Sequence, residues 1–80
     1  MARYSTETKL SPERVIEKAR AYFGTEMGLD TTDDNPCCIT FEGGGGFVSV
    51  AASTGEKKTA VELETREWDY QVKQFMREIG

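Results

Sequence analysis

Cys37 and Cys38 stand side by side at the head of the stretch CCITFEGGGGFVSV, and four consecutive glycines occupy positions 43–46. Three chemistries use such residues: thiol–disulfide exchange, soft-metal ligation, and the cradling of a phosphate by glycine amides. A phosphate loop needs a strand before the glycines and a helix N-terminus after them, because amides and helix dipole hold the anion together. Here Phe47, Val48, Ser49 and Val50 follow with strand alternation, and no Gly-Lys-Ser/Thr sequence is present. The cysteines are adjacent and lack the Cys-x-x-Cys spacing. Neighbours on an extended strand point to opposite faces. Cys37 is therefore expected to join Ile39 and Phe41 in the core, with Cys38 on the open face. A bond between adjacent residues would distort the backbone, since disulfides favour Cα separations of roughly 4.4–6.8 Å. Two free thiols are expected.

Other chemistry is scarcer. The chain has no histidine, so the usual general base for a nucleophile is missing. Paired carboxylates transfer protons when a dry pocket perturbs one of them, but Glu42, Glu62 and Glu64 fall on what should be a flat sheet surface. Asp30, Asp33, Asp34 and Asn35 miss the alternating ligand positions and the distal bidentate Glu of a calcium loop. No catalytic residue, metal or cofactor is expected.

Eighty residues allow one small domain with a two-layer core. Of the net charge of −4, residues 24–36 contribute Glu26, Asp30, Asp33 and Asp34 without a base, and the remaining acids and bases cancel. No window holds more than two adjacent bases, Lys57 and Lys58. This argues against nucleic acid, whose binders present a basic face. No apolar run reaches membrane-spanning length, and the first residues lack the apolar segment of a secretion signal. The expectation is a cytoplasmic protein that does not enter a membrane.

The elements follow from punctuation and periodicity. Residues 1–10 have no clear pattern and read as a flexible tail, leaving 11–80 as the domain. Ser11-Pro12-Glu13 is a helix start, with a cap, a first-turn proline and an acid. Val15, Ile16, Ala19, Tyr22 and Phe23 form one apolar stripe, and Gly24 is expected to end the helix. Residues 28–32 fit either a loop or a short edge strand, and Asn35-Pro36 marks a turn. Ile39 and Phe41, then Val48, Val50 and Ala52, then Val61 and Leu63 each share one strand face. Turns at Gly44-Gly45 and Gly55-Glu56 would pair Phe41 with Val48, Ile39 with Val50, Val50 with Val61 and Val48 with Leu63. Gly43 and Gly46 exceed what the first turn requires, and mark a bulge or a close approach of another backbone. Thr65 is read as the cap of a last helix whose apolar stripe is Trp68, Val72, Phe75, Met76 and Ile79. The fold class is thus α+β, a helix, a three-stranded antiparallel meander and a helix, with both helices on one face in a two-layer sandwich.

That register sets the open face as Glu42–Phe47–Glu64, Thr40–Ser49–Glu62 and Cys38–Ala51–Ala60. An aromatic ring flanked by carboxylates, with small residues beside it, is a surface for docking or for pairing with a second copy. The candidate binding residues are Phe47, Glu42, Glu64, Glu62, Ser49, Thr40 and Cys38, with Gly43 and Gly46 at the rim.

The order of elements resembles that of double-stranded-RNA-binding domains. In place of that family's contact residues the chain has GGGG between its first two strands, and Arg66-Glu67-Trp68-Asp69 where lysines begin the final helix. The resemblance is one of topology and carries no contact residue with it. The reading is a small domain that does no chemistry and binds a protein or itself, as a homodimer, through the open face. The alternatives are a degenerate RNA-binding module and a small-ligand or redox protein using Cys38.

Overall fold

The structure, a computed structural model, describes residues 2–35 and 37–80. Strand β1 (Ala2–Thr8) leads to helix α1 (Pro12–Ala19), which continues as a π-helical segment (Arg20–Glu26). Strands β2 (Asp30–Asp34), β3 (Cys38–Gly43), β4 (Gly46–Thr54) and β5 (Thr59–Arg66) precede helix α2 (Asp69–Ile79). The strands form one antiparallel sheet in the order β1-β5-β4-β3-β2. The class is α+β, but the expected helix, three-stranded meander and helix is wrong. The meander gains an edge strand on each side, and the topological resemblance to double-stranded-RNA-binding domains is lost with it.

Both missed strands are edges with little apolar signal. Residues 2–8, read as part of a tail, alternate Ala2, Tyr4, Thr6 and Thr8 toward the helices with Arg3, Ser5 and Glu7 toward solvent. The inward set holds one large side chain, so hydrophobicity alone does not mark the alternation. β2 is DTTDD, exposed at all five residues, and its register shifts between Thr31 and Asp33. Pro36, read as part of the turn after it, lies outside the described residues.

The first hairpin has the expected register, with Phe41 opposite Val48 and Ile39 opposite Val50. The second is displaced by two residues. Val50 lies opposite Leu63, Ala52 opposite Val61 and Val48 opposite Thr65, and the turn spans Gly55 to Lys58, closed by a Gly55 N–H to Lys58 carbonyl bond of 2.8 Å. A slip of two keeps every side chain on its own face. The apolar pattern therefore cannot distinguish the two registers.

The helix ends also shift. Ser11 caps α1 as expected, its hydroxyl accepting from the Arg14 N–H at 3.3 Å. Gly24 does not stop the helix. The wider π-turns continue to Glu26, and bonds from Met27 N–H to the Tyr22 carbonyl (3.1 Å) and Leu29 N–H to the Phe23 carbonyl (3.0 Å) close the end at Gly28, where φ is +74°. Thr65 is not a helix cap. It is buried in β5 and donates to the Phe47 carbonyl at 2.8 Å, so α2 begins only after a corner at Glu67, with φ of +78°.

Both helices cover one sheet face. Val15, Ile16 and Ala19 of α1, Phe23 of the π segment, and Val72, Phe75 and Ile79 of α2 pack on Ile39, Phe41, Val48, Val50, Ala52, Val61 and Leu63. The ring of Phe23 lies 5.6 Å from that of Phe41 and 5.2 Å from that of Phe75. The β1 edge is tied down by polar links at both ends. The Tyr4 hydroxyl donates to Asp69 at 2.7 Å beneath Lys73, and Thr8 donates to the Ile79 carbonyl.

The hydrogen bond to Asp69, then burial, holds the Tyr4 phenol above its ordinary value of 10.0. A group raised in the folded state stabilises it fully below the unfolded value, and that contribution is lost as pH rises through the folded value. In ultraviolet titration Asp69→Asn is expected to lower one late phenol toward its ordinary range. Tyr4→Phe should abolish that phenol and flatten the loss of stability in strong alkali. An unchanged phenol titration in Asp69→Asn would refute the link.

Candidate functional site

Because the helices take one face, the other is left to solvent, and the observed register fixes its rows. Across β2, β3, β4 and β5 the first row is Asp30, Glu42, Phe47 and Arg66. The second is Asp33, Thr40, Ser49, Glu64 and, on β1, Arg3. The third is Cys38, Ala51, Glu62 and Ser5, and the last is Ser53, Ala60 and Glu7.

The displacement of the second hairpin rearranges the candidate residues. Phe47 keeps Glu42 on one side but has Arg66, not Glu64, on the other. Glu64 moves beside Ser49 and accepts from the Arg3 Nε at 2.8 Å, while Glu62 moves beside Ala51. Thr40 and Ser49 share a hydrogen bond of 3.3 Å. Half-buried Phe47 lies in an open groove between Asp30, Glu42, Arg66 and the hairpin glycines. Arg66, Asp30 and the β1 residues were missed as site residues. The first two needed the true register and the second edge strand. The β1 residues needed the strand itself.

The glycines are shaped by packing. Gly44 and Gly45 have φ of +60° and +82°, as a two-residue type I′ turn requires,. Of the roles left open for Gly46, the structure gives close approach. A Cβ there would lie 2.1 Å from the Arg66 carbonyl oxygen, against the backbone of the Glu67 corner. A Cβ at Gly43 would meet Leu29 at 2.7 Å, and one at Gly44 would meet Trp68 at 2.8 Å. The Trp68 indole N–H donates to the Gly43 carbonyl at 3.2 Å, so the tryptophan braces the hairpin from the helical side.

The cysteines depart from expectation. Cys37 is exposed and not in the core; it precedes β3, where only its carbonyl joins the ladder, accepting from the Ala52 N–H at 2.9 Å. It is joined to Cys38 in a disulfide between neighbours, so neither thiol is free. Cys38 lies opposite Ala51 on the outer face as read. Among the described residues no group of three or more His, Cys, Asp or Glu side chains is placed to hold a metal ion.

Charge is the outer face's most distinctive property. Glu7, Asp30, Asp33, Glu42, Glu62 and Glu64 stand there against Arg3 and Arg66. That excess equals the whole net charge of −4, and the rest of the molecule is balanced. The charge thus follows a face of the fold, whereas the chain order had assigned it to residues 24–36.

The sequence matches no protein-family model and no curated protein. The fold is similar to that in the solution structure of the Aha1 dimer from Colwellia psychrerythraea, with a TM-score of 0.60 and 14% identity. The match covers 98% of this chain and 88% of that one. At this identity the likeness is one of fold.

The hairpin geometry makes a direct prediction. Gly46→Ala must displace backbone and is expected to cost about 2–3 kcal/mol. Gly45→Ala meets open space and suffers only its positive φ, about 1 kcal/mol. Urea denaturation should rank them in that order, and equal costs would contradict the close approach.

Proposed function

We propose that the chain is a non-catalytic interaction module that self-associates and keeps its outer sheet face for a cationic protein partner. The observation that carries this reading is the coincidence on one bare face of all the net charge and a half-buried aromatic ring. An aromatic anchor with a charged surround is the composition of an interface, and its charge selects the partner's sign. Two copies meeting through this face would oppose like charges, which weighs against self-association there. The similarity in fold to a protein solved as a dimer supports self-association, and the like charges of the outer face direct it to another surface.

The test uses a lysine-rich peptide as probe and follows amide NMR shifts. Shifts concentrated at Phe47, Ser49 and Arg66, weakened by salt and by Phe47→Ala, are expected. Shifts confined to the helices, or none at low salt, would overturn the partner reading.

A second reading rests on the disulfide at the exposed β2–β3 connection. Reduction by an external dithiol would transfer two electrons and two protons, leaving two thiols on the chain and a disulfide on the reductant. Alkylation without reductant is expected to add nothing to the denatured chain, whose mass should be two hydrogens below the thiol formula. Two adducts without reductant would remove this reading.

A further inference from the structure

The two edges of the sheet differ in how far they are closed to another strand. β2 is short, bulged at Thr32 and acidic, and its Asp34 is held by Arg20 at 2.8 and 3.0 Å. Bulges and charge are the usual means of protecting an edge. β1 has no bulge and no net charge. Its seven residues pair with β5 without a break, from Ala2 opposite Thr65 to Thr8 opposite Thr59, and they hold one base and one acid.

The direction of its backbone groups follows from the ladder. The Ala52 N–H donates to the Cys37 carbonyl (2.9 Å), and the Gly55 N–H to the Lys58 carbonyl (2.8 Å). Hydrogen-bonded pairs alternate along an antiparallel ladder. Even residues of β4 therefore bond to β3 and odd ones to β5. Carried across β5, the alternation turns Ala2, Tyr4, Thr6 and Thr8 toward β5. It leaves the N–H and C=O groups of Arg3, Ser5 and Glu7 facing outward, without a backbone partner among the described residues.

We infer that β1 is the self-association surface, pairing antiparallel with β1 of a second copy about a two-fold axis at Ser5. This rests on the self-association reading above and names its surface. In this register Arg3 lies opposite Glu7 of the second copy, Ser5 opposite its counterpart, and Glu7 opposite the second Arg3. The outward-facing residues are the ones that meet, and each pair exchanges two bonds, about six in all. Both charge pairs are complementary, a condition that an isologous contact imposes on a single sequence. Arg3 spends its Nε on Glu64, and its side chain is 86% exposed, so the other guanidinium donors are available. On the helical side half-buried Tyr4 would face half-buried Thr6 of the second copy. The result is a continuous ten-stranded sheet whose acidic outer face stays open.

The test is analytical ultracentrifugation of the full chain and of two charge-reversed variants, with folding of each checked by circular dichroism. The wild type is expected at about twice the 8.9 kDa chain mass. Glu7→Arg puts two positive side chains on the edge and Arg3→Glu puts two negative ones. Each alone should dissociate at least about tenfold more readily, and an equimolar mixture should recover a dimer containing one of each. Ser5→Pro removes an outward N–H without touching the β5 ladder and should weaken association likewise. A wild-type monomer at every concentration would overturn both this surface and the self-association reading. A wild-type dimer that the variants leave unchanged, or a mixture that stays monomeric while both variants are folded, would overturn the β1 pairing alone.

Discussion

Three phenylalanine rings, one from each layer-forming segment, meet at the centre of the molecule. Phe23 comes from the π segment, Phe41 from β3 and Phe75 from α2, and all three are fully buried. Their contact fixes both helices to the same face of the sheet. Truncating such a ring typically costs about 3–5 kcal/mol, against a total stability on the order of 4–12 kcal/mol for a chain this size. The two-layer arrangement depends on this contact, and its consequence is a second face that neither helix covers.

The bare face and the strand edges divide the remaining surface. The face carries the net charge and an aromatic ring in a groove, while the β2 edge is closed by its bulge and its acids. The β1 edge is the regular one, and in the proposed pairing its Arg3 and Glu7 meet the Glu7 and Arg3 of a second copy. A domain built as proposed would dimerise edge to edge and leave its acidic outer face open to a partner. Two such faces would lie side by side on one extended sheet, and a partner bearing two cationic segments would then gain by avidity.

Much of the central sheet was legible from residue types, and the reason is burial. Ile39, Phe41, Val48, Val50, Val61 and Leu63 alternate because one face is dry, and Gly44-Gly45 fits the only turn that its φ values allow. What was illegible lies where burial is weak. β1 and β2 have too few apolar residues to show their period. The slip of two at Gly55 changes no side chain's face, so it moved Arg66 and Glu64 without leaving a trace in the pattern. Thr65 has the chemistry of a helix cap, but it lies in a strand because its buried hydroxyl finds the Phe47 carbonyl. The continuation of the first helix past Gly24 has no signal in residue type. Adjacent Cα atoms lie closer than disulfides favour, which hides the bond between the neighbouring cysteines, and ideal alternation puts Cys37 in the core although it precedes the strand.

Amide hydrogen exchange along β1, measured at low and high protein concentration, reports which backbone groups of the edge a second copy covers. In a lone copy the amides of Tyr4, Thr6 and Thr8 are bonded to β5, while those of Arg3, Ser5 and Glu7 face water. The amides of Arg3, Ser5 and Glu7 are expected to exchange fast when dilute and to become protected as concentration rises, Ser5 most of all at the two-fold axis. If they exchange freely at every concentration while the protein sediments as a dimer, the copies meet elsewhere and the account is contradicted.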